Sequence, residues 1–238
     1  MNFKFLPNLI TLFNLLLGCI VTLLLIENNL EVKNVFIITV MCLILDYLDG
    51  YIARKFNTKS DVGIQLDSLA DLVSFGLVPA ILLYNMFKDA PSSSVGSILS
   101  SFIPFFGFII TLSSAYRLAR YNTRKSTSKF FKGLPTPANA VLIYSFAIIS
   151  AEGNSFSKII LDYNVLILIV IVSSILLVSN LKLLNFKFGS LKFKGNKSRF
   201  FIIFISIPTL IIFGIYAIPL IVSVYILISI FTFYKLKN

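Results

Sequence analysis

Long apolar runs, each close to the length of a bilayer crossing, alternate along this chain with short connectors rich in charge, Gly, Ser or Asn. A hydrocarbon core of ~30 Å takes about 20 apolar residues of helix. On that measure the pattern predicts eight spans, at roughly 6–26, 34–54, 64–87, 97–118, 134–151, 162–181, 199–214 and 217–234. The last two belong to one apolar stretch too long for a single crossing. Gly214 and Pro219 are where a helix would break, so a helical hairpin is expected there. No internal repeat is evident. The expected architecture is one all-α, membrane-embedded domain.

Composition sharpens this picture. Residues of the AVILMFWYC set make up 57% of the chain and charged residues only 13%, against about 25% charged in a typical soluble domain. A soluble enzyme is thereby excluded. There is no histidine, which removes histidine acid–base chemistry and histidine-ligated zinc or haem. Cys19 and Cys42 both lie in apolar runs, too few and too scattered for a disulfide framework or a metal cluster. The net charge of +11 is read as positive-inside loops and not as a nucleic-acid surface. Of the 21 Lys and Arg, 18 fall in the two termini and the even-numbered loops, and only Lys33, Lys88 and Lys158 fall in the others. Both termini are therefore expected in the cytoplasm. The acids Glu27, Glu31, Asp89, Glu152 and Asp162 take the opposite loops. Residues 1–7 carry one lysine and no small-residue cleavage site, and read as the lead-in to a retained first helix.

The other five acids, Asp46, Asp49, Asp61, Asp67 and Asp71, crowd into 26 residues, and all but Asp61 lie within expected spans. An ionised carboxylate at membrane depth costs on the order of 3 kcal/mol even on lenient insertion scales. Four of them must be protonated, paired or shared with cations. Asp46 and Asp49 are spaced i,i+3, and Asp67 and Asp71 i,i+4, so each pair occupies one helix face. Counting inward from Arg54 and from Gly63 puts both pairs within about 12 Å of the cytoplasmic boundary. Four hard oxygen ligands at one level suit two Mg²⁺ or Mn²⁺ ions, and a two-metal site suits phosphoryl transfer. An ion pathway, or a set of inter-helix carboxyl hydrogen bonds, fits the spacing as well. Gly50, Ala53 and Gly63 on the same faces would let a helix or a ligand approach the backbone closely.

The residues spell Asp46-x-x-Asp49-Gly50-x-x-Ala53-Arg54, then eight residues, Gly63, three, Asp67, three, Asp71. This resembles the D-x-x-D-G-x-x-A-R-x8-G-x3-D-x3-D signature of the CDP-alcohol phosphotransferases at every fixed position. The resemblance implies a six-helix membrane core, usually homodimeric, that moves a phosphatidyl group from a CDP-linked lipid to an alcohol and releases CMP. It implies that Asp46, Asp49, Asp67 and Asp71 hold the two ions and that Asp71 is also the general base. It implies a CDP pocket formed by Asp49, Gly50, Ala53, Arg54, Gly63 and Asp67. The core is expected over 1–185, followed by a basic loop and the C-terminal hairpin over 186–238, which has no evident task.

The acceptor is read from the surrounding text. Leu66-Asp67-Ser68-Leu69-Ala70-Asp71, Ser74-Phe75-Gly76, Arg117-Leu-Ala-Arg120-Tyr-Asn122 and Gly133-Leu-Pro135-Thr-Pro137-Ala138 are similar to members that use CDP-diacylglycerol and L-serine. Arg117 and Arg120, i,i+3 near the aspartate level, are candidates to hold the carboxylate of serine or, alternatively, the phosphate of glycerol phosphate. As ordinary positive-inside anchors they would need no ligand. Asn8, Thr11 and Asn14 share roughly one face of the first helix and are weaker candidates for nucleotide contact, a plain cap and interfacial polar stripe being the alternative; Asn122 is a further weak site candidate. Outside this family, a divalent-cation transporter is the competing reading. The basic segments 124–132 and 182–199, with Phe130, Phe131, Phe186, Phe188 and Phe193, are candidates for docking on anionic lipid. A plasma or inner membrane location, with the site facing the cytoplasm, follows from the resemblance.

Overall fold

The computed structural model of the chain describes residues 5–27, 31–58, 60–91, 101–123, 130–185 and 196–237. The basic segments 124–129 and 186–195 fall outside the described residues. Two long helices come first, α1 (Leu6–Ile26) and α2 (Val32–Lys55), packed against each other. Helix α2 ends where Asn57 adopts a left-handed φ of 51° and the Thr58 N–H donates back to the Ala53 carbonyl at 3.0 Å. Asparagine is one of the few side chains that tolerates this conformation. Ser60 then caps α3 (Asp61–Asp71), its hydroxyl accepting from the Gly63 N–H at 3.0 Å. The connection between the two aspartate-bearing helices is thus fixed at both ends.

Helix α3 continues through a π-helical segment, Leu72–Leu77, into α4 (Val78–Asp89). A π turn holds one residue more than the α geometry around it, and such turns recur at functional sites. Ser74 in this segment donates to the Asn14 side chain on α1 at 3.0 Å. At Gly18 an added Cβ would lie 2.6 Å from the Ser74 hydroxyl, so only glycine admits this contact. On the other side the Gly76 carbonyl accepts from Thr111 at 3.2 Å. Inter-helix polar contacts of this kind contribute roughly 0.6–2 kcal/mol each within a membrane.

A 3₁₀ turn (Ile103–Phe108) leads into α5 (Ile109–Asn122). After β1 (Phe130–Lys132) come α6 (Thr136–Ala151), the short α7 (Ser155–Ile160) and α8 (Tyr163–Val178), and then β2 (Lys182–Leu184). The two strands form a three-residue antiparallel ribbon with Phe130 opposite Leu184 and Lys132 opposite Lys182. It is a small addition to the expected all-α fold. Gly133 leaves the ribbon at φ 75° and donates to the Leu181 carbonyl, while Leu134 N–H donates to the Leu176 carbonyl, both at 2.9 Å. Leu176 is in the last turn of α8, so the second bond satisfies one of the carbonyls that the helix end would leave unpaired.

The chain closes with α9 (Lys197–Phe213), a 3₁₀ turn from Gly214 to Tyr216, and α10 (Ala217–Lys237). Gly214 stands at φ 54° and breaks the helix as expected. Thr232 donates to Ser198 at 2.8 Å, which folds α10 back along α9 as a hairpin. Pro219 sits in the first turn of α10, where a missing N–H costs little.

The main core lies between α4, α6 and α8, where Leu83, Phe87, Ile143, Tyr144 and Leu166 are fully buried. Side chains such as Leu9, Leu16 and Leu23 on α1, and Ile211 and Phe231 on the hairpin, stay exposed. Among the described residues, four helical stretches, Leu6–Ile26, Val32–Lys55, Asp61–Asp89 and Lys197–Tyr234, are long and apolar enough to cross a membrane. An exposed apolar girdle on such helices is a lipid-facing surface, and the protein is a multi-pass membrane protein.

Candidate active site

Asp46, Asp49 and Asp67 each present a carboxylate oxygen within 4.8 Å of the others. The i,i+3 pair on α2 and the first acid of α3 therefore converge on one point. The Thr11 hydroxyl on α1 lies 3.0 Å from the Pro7 carbonyl and donates to Oδ2 of Asp49, which is buried. This contact fixes Asp49 from a third helix. Three hard, anionic oxygens so close together repel one another in a low-dielectric setting, and a divalent cation is the group that relieves the repulsion. The donor set fits Mg²⁺ or Mn²⁺.

Asp71 is the fourth acid, one helical turn deeper on α3. It is buried and stands outside that group of three, though its charge interacts with Asp46, Asp67 and Asp49 and, with opposite sign, with Arg117. Its Oδ1 is buried without a hydrogen-bond partner. Arg117 on α5 donates from Nη1 to the Thr136 hydroxyl at 2.8 Å, while its Nε is also buried and unpartnered. The acid and the guanidinium thus each keep one buried polar atom left to bond.

The three convergent acids line a cavity of about 560 Å³. Its walls include Asn8 and Thr11 of α1, Gly50, Ala53 and Arg54 of α2, and Gly63 of α3. All of these are residues the sequence singled out for the nucleotide. At Gly50 a Cβ would stand 3.2 Å from Nη1 of Arg54, so the glycine leaves room for the guanidinium to fold over the helix. At Gly63 a Cβ would lie 2.9 Å from the Asn8 side chain, and its absence lets α1 and α3 close together. Asn14 is a turn deeper and is spent on Ser74.

Arg117, Arg120, Asn122 and Asp71 are not among the cavity-lining residues. Arg120 donates to the Val178 carbonyl at 2.9 Å and to the Asn180 side chain, gripping the end of α8. Asn122 donates to Ser68 at 2.9 Å, tying α5 to α3.

Comparison with known proteins is decisive at this point, since residues 4–177 match the CDP-alcohol phosphatidyltransferase family. The chain belongs to that family. A CDP-diacylglycerol–serine O-phosphatidyltransferase of Helicobacter pylori is 31% identical over 231 residues, which is 94% of this chain and 89% of the relative. Another from Methanocaldococcus jannaschii is 34% identical over 173 residues, covering 73% of this chain and 70% of its own length. An archaetidylserine synthase of Methanothermobacter thermautotrophicus is 34% identical over 148 residues, 61% of this chain and 58% of that one.

Within this CDP-alcohol phosphatidyltransferase the cavity also draws on residues that the sequence did not mark. Tyr47, Thr58, Ser60 and Ile64 lie close in sequence to the signature, and Pro135 falls in a motif already noted. Leu184, Asn185 and Tyr225 lie beyond the family match, and no spacing pointed to them. Tyr225 in particular is one aromatic among many in an apolar helix.

Proposed function

We infer that the protein transfers the phosphatidyl group of CDP-diacylglycerol to the hydroxyl of L-serine, giving phosphatidylserine and CMP. The observation that carries this reading is the convergence of Asp46, Asp49 and Asp67 at a cavity that also contains Arg54. A pyrophosphate calls for that combination of cation ligands and a nearby guanidinium. The lipid tails stay in the bilayer and the cytidine occupies the space beside Gly50, Ala53 and Gly63. Asp46, Asp49, Asp67 and Asp71 would hold two Mg²⁺ or Mn²⁺ ions. Such ions, when bound, neutralise the pyrophosphate and stabilise the leaving oxygen.

The residues of the chain supply the rest. Arg117 receives the carboxylate of serine through its unpartnered Nε. Asp71, whose Oδ1 lacks a partner, takes the hydroxyl proton as the serine oxygen bonds to the phosphorus bearing the diacylglycerol. The phosphoanhydride bond to CMP breaks, and Arg54 holds the negative charge that leaves with it. Arg120 and Asn122 position α5 through their contacts with α8 and α3. The working unit is a homodimer in the plasma or inner membrane, with both termini and the cavity on the cytoplasmic side.

The test is CMP release by the purified enzyme from CDP-diacylglycerol with L-serine or glycerol 3-phosphate as acceptor. Serine-dependent release, lost on chelation and restored by Mn²⁺ or Mg²⁺, is the expected result. Release with glycerol 3-phosphate alone would move the protein to another acceptor class. Metal uptake into proteoliposomes without any release would overturn the enzymatic reading.

A further inference from the structure

The C-terminal hairpin lies outside the family match, yet one of its side chains reaches the cavity. One face of α10 is open, with Leu227 and Phe231 exposed by 66% and 72%. Tyr225 and Ser229, one turn apart, are instead buried. Both grip the same residue of the ribbon. The Tyr225 hydroxyl donates to the Leu184 carbonyl at 2.9 Å, and the Ser229 hydroxyl accepts from the Leu184 N–H at 3.2 Å. Leu134, Leu183, Leu184, Ile202 and Tyr225 form a second hydrophobic core, separate from the main one, that binds the hairpin to the ribbon and to the start of α6.

Tyr225 therefore takes part in the wall of the site. With Pro135, Leu184 and Asn185 it makes the cavity wall that does not come from α1, α2 or α3. Pro135 in that wall directly precedes Thr136, whose hydroxyl accepts from Arg117, the residue assigned to the acceptor carboxylate. The nucleotide residues Gly50, Arg54 and Gly63 all belong to α2 and α3, so the Tyr225 wall bounds the part of the cavity left for the acceptor.

We propose that Tyr225 is a specificity-determining residue that closes the acceptor end of the cavity, so that the C-terminal hairpin is a working part of the active site. This rests on the phosphatidyltransferase reading. The ring fills space that a small hydroxylated acceptor leaves, and its hydroxyl is held in place through Leu184.

The experiment uses the full-length enzyme in detergent, with steady-state CMP release measured against acceptor and against CDP-diacylglycerol separately. The acceptor is whichever one the wild type uses, so an error about serine appears in the wild type and not in the variants. Tyr225→Leu keeps an apolar anchor in the second core but removes the ring, and should raise the acceptor KM about tenfold while leaving the CDP-diacylglycerol KM within about twofold. Tyr225→Phe keeps the ring and should restore the acceptor KM to within about threefold of wild type. Leu227→Ala, exposed on the same helix, is the control and should change neither constant. The proposal is overturned if Tyr225→Leu leaves the acceptor KM unchanged, or if both KM values rise together. Should Tyr225→Leu not fold, a Tyr225→Met variant gives the same two readings.

Discussion

Asp71 differs from its three neighbours in what surrounds it. The oxygens of Asp46, Asp49 and Asp67 meet one another, and Thr11 steadies Asp49, whereas Asp71 keeps a buried oxygen unpartnered. An unpaired buried carboxylate oxygen is expensive unless a ligand uses it. Asp71 is on this ground proposed as the general base in addition to its share in holding the ions. Asp71→Asn should lower CMP release by at least about a hundredfold, the contribution of a positioned base, while the protein elutes as a folded species and keeps its binding of Mn²⁺ to within roughly tenfold. Asp49→Asn should lose Mn²⁺ binding together with activity. Calorimetric titration with Mn²⁺ distinguishes the two variants, and full activity of Asp71→Asn would remove that residue from the mechanism.

At the level of elements, the two arginines of α5 do different work although they sit one turn apart. Arg117 bonds to Thr136 on α6, and Arg120 closes the end of α8. A guanidinium bonded to a helix-terminal carbonyl contributes about 1.5–3 kcal/mol. Arg120→Ala should therefore lower the Tm in detergent by several degrees without a selective change in acceptor KM. Arg117→Ala should raise that KM even where the Tm is kept. An acceptor KM that rises in Arg120→Ala at unchanged Tm would return Arg120 to the acceptor site. Spacing placed both arginines on one face of α5. It did not reveal that Asn180 and the Val178 carbonyl, 58 to 60 residues downstream, engage one of them. Contacts at such separation depend on how α5 and α8 pack, and no local pattern encodes that.

For the whole molecule, the sequence was most informative where the membrane imposes a rule. Apolar runs gave most of the helices to within a few residues, though where 97–118 was expected the described chain is a 3₁₀ turn and then α5 as far as Asn122, and Gly214 gave the turn of the hairpin. The aspartates stood out because charge is costly at that depth, so the centre of the site was legible as well. What was not legible was the Tyr225 wall, because an aromatic residue on an apolar helix looks the same whether it faces lipid or substrate. The ribbon was missed for a related reason. Its strands are three residues long, too short to show any alternation. The charge asymmetry between loops carries a further expectation. A cysteine at position 158 should react with an impermeant maleimide on intact cells, and one at position 55 only after permeabilisation; the reverse would invert the assigned orientation. The π turn at Leu72–Leu77 joins the aspartate end of its span to the end that packs into the main core. Each residue of an α-helix advances the chain by about 100°. Deleting one residue from this turn would thus act as a twist more than as a shortening: if the deep half stayed seated among α6 and α8, Asp67 and Asp71 would swing away from Asp46 and Asp49, and a folded protein would have its acidic quartet split across two directions.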